Sequence, residues 1–322
     1  MVKSASEMES SILKSLTLRI PGSTSNLGPG FDTLALALNI YTTVRFDVLE
    51  QPDVSRPIVT LKGAIAHLSG SQNQGDLIYH MLSELWQSDH DLLQRVRVTV
   101  SSDIPLGCGL GSSGAAILGA VWASYALKGL IPTRRDILTE GMRLEGYPEN
   151  VAASLMGNLV VCGPQADDKI IVAEQLNWPP RWCVIAVVPR YTLTTQAARS
   201  VLPKKVAFED AVANVQRTAL AVAAISNADE SLLKLVLRDR LHEPYREQLV
   251  PELDLVRRLL AGFPIIGCFL SGAGSSVVVL VNERHRPEVL DELSSWAEGQ
   301  AHPPAVLDLQ VDKEGIQEVE TA

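Results

Sequence analysis

The run Pro105-Leu106-Gly107-Cys108-Gly109-Leu110-Gly111-Ser112-Ser113-Gly114-Ala115 constrains this chain more than any other stretch of it. It follows a strand-like segment, Val96-Arg97-Val98-Thr99-Val100, and opens onto an apolar, helix-like stretch from Ala115 to Leu127. Strand, glycine loop and helix in that order can cradle a phosphate. Glycine lacks Cβ, so the backbone bends freely and can approach a ligand closely. The first N–H groups of a helix have no intrahelical partner and carry the positive end of its dipole, which suits a polyphosphate. Ser112 and Ser113 add hydroxyls that can reach phosphate or a bound metal. A glycine run of this kind also builds plain tight turns, and it is not the Gly-x-x-x-x-Gly-Lys-Ser/Thr of a P-loop.

The chain has 322 residues, enough for one large or two ordinary domains. With 46% hydrophobic and 20% charged residues, a core can form without disulfide or metal support. A net charge of −9 argues against nucleic-acid binding, which calls for a basic stripe. It does not forbid an anionic nucleotide, because local positive groups decide that. Cys108, Cys162, Cys183 and Cys268 are scattered, without a Cys-x-x-Cys pair. That is the pattern of reduced cytosolic thiols, not of a disulfide framework or zinc site. Met1 to Ser15 lacks the apolar centre of a secretory signal. With no run of about 18 apolar residues, no membrane span is expected and the chain reads as cytoplasmic.

Periodicity predicts strands over Leu16–Ile20, Leu34–Leu49 (one or two), Ile58–Lys62, Asn158–Cys162, Trp182–Val188, Ile265–Leu270 and Ser276–Val281. It predicts helices over Leu77–Trp86, Arg134–Glu145, Phe208–Ile225, Ser231–Leu241, Pro251–Ala261 and Pro287–Glu298. Pro21–Phe31 and Gln165–Pro180 read as loops, and Asp312–Ala322 as a charged end prone to fraying. Strands and helices mix in both halves, which indicates α+β. The division is expected near residue 170, giving units 1–170 and 171–322.

Several strings add chemistry. In Pro21-Gly22-Ser23-Thr24-Ser25-Asn26-Leu27-Gly28-Pro29-Gly30-Phe31-Asp32, Asn26 and Asp32 supply an amide and a carboxylate on a backbone restrained by Pro29. A carboxylate there suits an ammonium or hydroxyl of a small substrate. Glu145-Gly146-Tyr147-Pro148-Glu149-Asn150-Val151-Ala152 offers Asn150, whose amide cannot take up a proton. Thr194-Thr195-Gln196-Ala197-Ala198-Arg199 and Leu241-His242-Glu243-Pro244-Tyr245-Arg246 each carry an arginine suited to a bidentate grip on carboxylate. Phe269-Leu270-Ser271-Gly272-Ala273-Gly274-Ser275 reads as a hairpin turn or a glycine loop beside a site.

Together these strings, in this order from Asn26 to Ser276, resemble the homoserine kinases of the GHMP kinase family. Asn-Leu-Gly-Pro-Gly-Phe-Asp is the narrowest of them, and Pro-x-x-x-Gly-Leu-Gly-Ser-Ser resembles the nucleotide loop of the whole family. The resemblance implies an N-terminal ATP-binding domain like ribosomal S5 domain 2, a ferredoxin-like C-terminal domain, and a site in the cleft between them. It implies ATP and Mg²⁺ as cofactors and L-homoserine as substrate, with O-phosphohomoserine formed for threonine synthesis. Pro105 to Ala115 would hold the nucleotide. Asn26, Asn150 and Arg199 would serve catalysis, and Asn26, Asp32, Tyr147, Arg199 and Arg246 would hold the substrate. A homodimer is left open.

The chain departs from the family pattern at Tyr147 (usually His), Glu149 (usually Asp), Ser275 (usually Pro) and Gln74-Gly75-Asp76-Leu77 near the adenine. Arg143 stands where the resemblance places a metal-binding glutamate, and arginine cannot ligate Mg²⁺. Ser113 and Glu145 are then the expected metal ligands, with Glu140 second to Glu145. Two other readings stay open here: a different small-molecule kinase of the family, or a non-catalytic ATP binder, which Arg143 favours.

Overall fold

The computed structural model describes residues 11–53, 58–65, 74–165 and 171–320. A seven-stranded sheet is built on two long neighbours, β1 (Ile12–Ser25) and β2 (Leu34–Leu49). The second half of β2 pairs with β4 (Val96–Ser102), which carries β3 (Val59–Lys62) as a parallel edge. The first half of β2 pairs with β5 (Leu159–Pro164), and β5 with β6 (Ile171–Leu176). One strand thus serves two neighbours on the same side.

The β1–β2 register shifts between Pro21 and Gly22, opposite Tyr41 and Leu38. Proline is tolerated there because the ladder is already interrupted. β1 therefore runs through Pro21 to Ser25 and replaces the first part of the expected loop. At the same shift, Asn39 and Gln310 exchange hydrogen bonds and Leu38 bridges to Val311.

Helices α1 (Gln74–Leu85), α3 (Ser112–Ala126), α4 (Arg134–Glu145) and α5 (Glu149–Met156) cover one face, and α2 (His90–Arg95) leads into β4. α3 is apolar around most of its circumference because it lies against β1, α1, α4 and α5 at once. Small residues permit this: a Cβ on Gly119 would sit 2.9 Å from Ile20 Cδ1. Phe46, Ile20, Leu36 and Leu118 are fully buried in this core. Emptying the Phe46 position alone would cost about 3–5 kcal/mol.

The second sheet has four strands in the order β10-β7-β9-β8, all antiparallel: β7 (Trp182–Val188), β8 (Ile265–Leu270), β9 (Val277–Asn282) and β10 (Ala305–Leu309). Between them lie α6 (Thr195–Ser200), α7 (Phe208–Ser226), α8 (Glu230–Val236), α9 (Glu243–Arg246), α10 (Glu252–Leu259) and α11 (Arg286–Glu298). First strand between fourth and third is the ferredoxin-like arrangement. The α+β expectation holds in both halves.

Three expectations need correction. Gln165–Pro180 is not all loop, because Ile171–Leu176 pairs with β5; residues 166–170 lie outside the described ones. A cut at 170/171 would split that hairpin, so the first sheet extends to Leu176. The charged end does not fray as a whole. Asp312 is buried, accepting from Tyr41 Oη at 2.9 Å and from the Glu314 and Gly315 amides. β11 (Gln317–Glu318) then adds to β1 beside Leu18 and Arg19, returning the chain to the first sheet.

Candidate active site

The glycine loop leaves β4 and enters α3 with Gly107, Gly109 and Gly111 all left-handed. A Cβ at Gly109 would lie 2.2 Å from Ser271 O, and one at Gly111 2.2 Å from Ser23 Oγ. These glycines answer both the backbone's hand and the approach of the end of β1 and of the Ser271–Gly274 turn. The loop alternates. Cys108 and Leu110 are buried beneath it, while Gly107, Gly109, Gly111, Ser112, Ser113 and Gly114 line a cavity of about 240 Å³. Pro105, Cys108, Leu110 and Ala115 do not line it. A reading of the run as lacking the Gly-x-Gly-x-x-Gly spacing is incorrect, because Gly109, Gly111 and Gly114 have it. However, among the described residues the parallel neighbour of β4 is β3, which precedes the loop, so the glycine loop and α3 are not the first turn of a dinucleotide-binding βαβ unit.

Gln74 and Leu77 form the far wall of the cavity. Gln74 is buried and donates to Ser112 Oγ at 2.8 Å and Ser112 O at 3.0 Å, tying α1 to the start of α3.

At the rim, Ser113 Oγ donates to Glu145 Oε2 at 2.8 Å. Arg143 lies two residues earlier on α4, about 200° around the helix. It faces outward, bonded to Glu140 at 2.8 Å and near Glu84 at 3.8 Å. Arg143 therefore points away from the Ser113–Glu145 pair, and Glu140 is paired with it. Burial raises the carboxyl of Glu145, and the Ser113 bond partly offsets this.

A smaller cavity of about 50 Å³ adjoins the first, sharing Glu145, Asn150, Thr195, Gly272 and Ala273 with it. Asn26, Asp32, Tyr147, Arg199 and Arg246 all line it. Asn26 is left-handed (φ 74°) and buried. Its Oδ1 accepts from the Asp32 amide at 3.0 Å, and its Nδ2 donates to Gly272 O at 2.9 Å. It thus staples its own loop to the Ser271–Gly274 turn as well as facing the cavity. Ser271 Oγ in turn donates to Gly109 O, so the glycine turn and the glycine loop are joined.

Asp32 Oδ1 accepts from Arg199 Nη2 at 2.6 Å. The Arg199 guanidinium lies 3.3 Å over the Tyr147 ring and 5.3 Å from the Phe31 ring, contacts suited to a planar cation. Arg246 is almost wholly buried. Burial, then Arg199, pulls its pKa down to about 10, so it stays charged at neutral pH.

Asn150 is oriented from three sides. Its Oδ1 accepts from Ser23 Oγ at 2.9 Å, and its Nδ2 donates to Ser25 Oγ at 3.2 Å and Glu149 Oε1 at 3.1 Å.

Sequence reasoning passed over Glu149, Phe31, Ser23 and His242. Glu149 is buried on the smaller cavity with Oε2 unpartnered among the described residues. Burial, then Asp32, lifts its pKa to about 7. The signals were its place beside Asn150 and its departure from the family's usual aspartate. Among the described residues no three His, Cys, Asp or Glu side chains cluster as a metal cage, no helix is long and apolar enough to cross a membrane, and all four cysteines are free.

Two antiparallel-based α+β halves, with a glycine loop entering a buried helix at their junction, make the fold of the GHMP kinases. The sequence profile of the GHMP kinases N terminal domain matches residues 76–158, and that of the GHMP kinases C terminal domain residues 220–299. The chain belongs to this family. Within it the chain goes with the homoserine kinases: a homoserine kinase from Desulfitobacterium hafniense is 33% identical over 301 residues, 92% of this chain and 98% of that one. Homoserine kinase from Cytophaga hutchinsonii has the same fold, with a TM-score of 0.79, 24% identity, and 96% and 98% of the two chains covered. Mevalonate diphosphate decarboxylase from Enterococcus faecalis also superposes, with a TM-score of 0.67, 17% identity, and 95% and 99% covered. The fold alone therefore does not choose the reaction.

Proposed function

We propose that the protein transfers the γ-phosphoryl group of ATP to the side-chain hydroxyl of L-homoserine, giving O-phospho-L-homoserine. The observation that carries this reading is the junction of the two cavities. The larger has the backbone and dipole of a phosphate cradle. The smaller has two arginines, Arg199 and Arg246, and three carboxyl groups, Asp32, Glu145 and Glu149, so it can meet both charges of a short zwitterion. At their shared wall a hydroxyl and a γ-phosphate would meet beside Asn150.

Asp32 and Arg199 hold each other in the free protein. A zwitterion replaces both halves of that pair at once, its ammonium taking Asp32 and its carboxylate Arg199. A ligand lacking either group would leave one half-buried charge of the pair uncompensated, which weakens binding. Arg246 adds a second donor to the carboxylate. Asn150, held by Ser23 and Ser25, orients the hydroxyl without accepting its proton. The hydroxyl oxygen forms the new P–O bond as the bond to ADP breaks, and its proton passes to a transferred phosphoryl oxygen. Phosphoryl transfer needs positioning and charge stabilisation more than a strong base.

Ser113 and Glu145 fit a hard cation: both offer oxygen, they lie 2.8 Å apart at the cradle's rim, and a desolvated carboxylate is stabilised by a cation. They would hold Mg²⁺, which supplies neutralisation of phosphate charge. Release of ADP in a coupled assay tests the reading, with L-homoserine, 4-hydroxybutyrate and 3-aminopropanol as acceptors. Turnover is expected with homoserine, and a rate lower by about two orders of magnitude with each truncated analogue. Equal rates on all three would overturn it. ATP binding without any turnover would support a non-catalytic role.

A further inference from the structure

His242 lies behind the wall of the smaller cavity, packed against Phe31 and Arg246, which line it, and phosphoryl transfer leaves it without a task. It has no solvent exposure. Its ring stacks on Phe31 with centroids 4.9 Å apart. Nε2 lies 3.0 Å from Gly28 O, and Nδ1 lies 3.3 Å from Arg246 Nη1. A carbonyl can only accept and a guanidinium can only donate. Nε2 must therefore carry the proton and Nδ1 the lone pair.

Arg246 also donates Nε to Ala198 O at 3.1 Å and Nη1 to Gly272 O at 3.0 Å. Its Nη2 is left for the cavity, with no partner among the described residues. Gly28 belongs to the loop that carries Asn26, Phe31 and Asp32. One imidazole thus joins the loop from the first sheet to an arginine from the second half.

We propose that His242 is a positioning residue: as the neutral Nε2–H tautomer it aims Arg246 at the substrate carboxylate and pins the Asn26–Asp32 loop beside it. The role rests on the proposed substrate. It also makes the clamp sensitive to acid. The charged groups around the ring are Asp239, 3.8 Å from Nε2, Glu243 and Arg246 on its own segment, and the Asp32–Arg199 pair beyond Phe31. Burial outweighs the carboxylates and keeps the ring below the ordinary histidine value, hence neutral at pH 7. Once protonated, Nδ1–H would face the N–H of Arg246, two donors opposed.

The test compares His242→Asn, His242→Gln and His242→Phe. Asn places its amide oxygen near ring Nδ1 and can still accept from Arg246. Gln places its amide nitrogen near ring Nε2 and can still donate to Gly28. Phe keeps the stacking and loses both bonds. The Gln and Phe variants are expected to raise KM for homoserine about tenfold, with kcat and the KM for ATP within about twofold of wild type. Asn is expected to recover most of that loss and to flatten the acid limb of kcat/KM. A Phe variant with wild-type KM for homoserine, or an Asn variant as impaired as Gln, would overturn the role. Imidazole ¹⁵N spectra of the wild type test the tautomer without any variant. A bare Nδ1 at pH 7 is expected, and a protonated Nδ1 overturns the proposal. A wild type that does not phosphorylate homoserine defeats the reaction assigned above, whereas turnover with unaltered variants defeats only His242.

Discussion

At the residue scale, direction around a helix decides more than proximity in sequence. Arg143 and Glu145 are two residues apart, yet one lies against Glu140 and Glu84 outside and the other meets Ser113 at the cavity. Glu145→Gln is therefore expected to raise the Mg²⁺ concentration needed for half-maximal activity, while Arg143→Ala and Glu140→Gln leave the Mg²⁺ titration unchanged. A shift with Arg143→Ala would return that residue to the site. Arg199→Ala removes a charge-assisted contact worth about 1.5–3 kcal/mol, so KM for homoserine should rise about ten- to hundredfold. Wild-type affinity in that variant would end the clamp role. Glu149 gives a stability prediction. Its unfolded carboxyl ionises near 4.5 and its folded one near 7. The protonated buried form contributes stability below pH 4.5, and that contribution is lost as pH rises through 7. Glu149→Gln does not titrate and should gain about 3 kcal/mol over wild type at pH 8, with no gain from ionisation at pH 4. Urea unfolding at both pH values measures it. The arginines and Asn150 stood out in their strings, whereas Glu149 did not, because burial is not written in a lone acidic residue.

Among elements, the glycine loop has two tasks that a sequence reading separates poorly. Gly111 caps α3 at φ 75° and lines the larger cavity, and a Cβ added to it would collide with Ser23. Ser23 holds Asn150. Gly111→Ala should therefore weaken ATP binding and also lower stability by about 1–3 kcal/mol, since both the left-handed backbone and the collision must be relieved. Calorimetry for ATP and a thermal melt read the two effects. Loss of ATP affinity with an unchanged melting temperature would show that the Ser23 contact yields freely. The helix Arg134–Glu145, expected from its periodicity, has the same bounds in the structure, where a capping box of Thr133 and Asp136 and a left-handed Gly146 close its two ends. β6 was not legible, since its half-exposed, polar pattern resembles a loop until β5 pairs with it.

Across the whole molecule, the chain closes on itself. Asp312 accepts from Tyr41 and from two amides of its own turn, and Tyr41 is pushed up to about 12 by burial and by that carboxylate. Asp312→Ala should cost about 2–4 kcal/mol by leaving these donors unpaired, and a melt showing no loss would mean the C-terminal segment is not part of the cooperative unit. By itself the sequence determined the mixed α+β character, the glycine loop between strand and helix, the order of the site strings and the family they resemble. These are local matters of period, turn chemistry and residue type, readable over a few positions. Only the tertiary structure decided that β6 and the C-terminal segment belong to the first sheet, that Arg143 turns away from Glu145, that Asp32 and Arg199 neutralise each other across the junction, and that His242 ties Gly28 to Arg246. Each of these joins residues distant in the chain or depends on which face an element buries. Packing of the two halves settles such choices, and no local pattern encodes it.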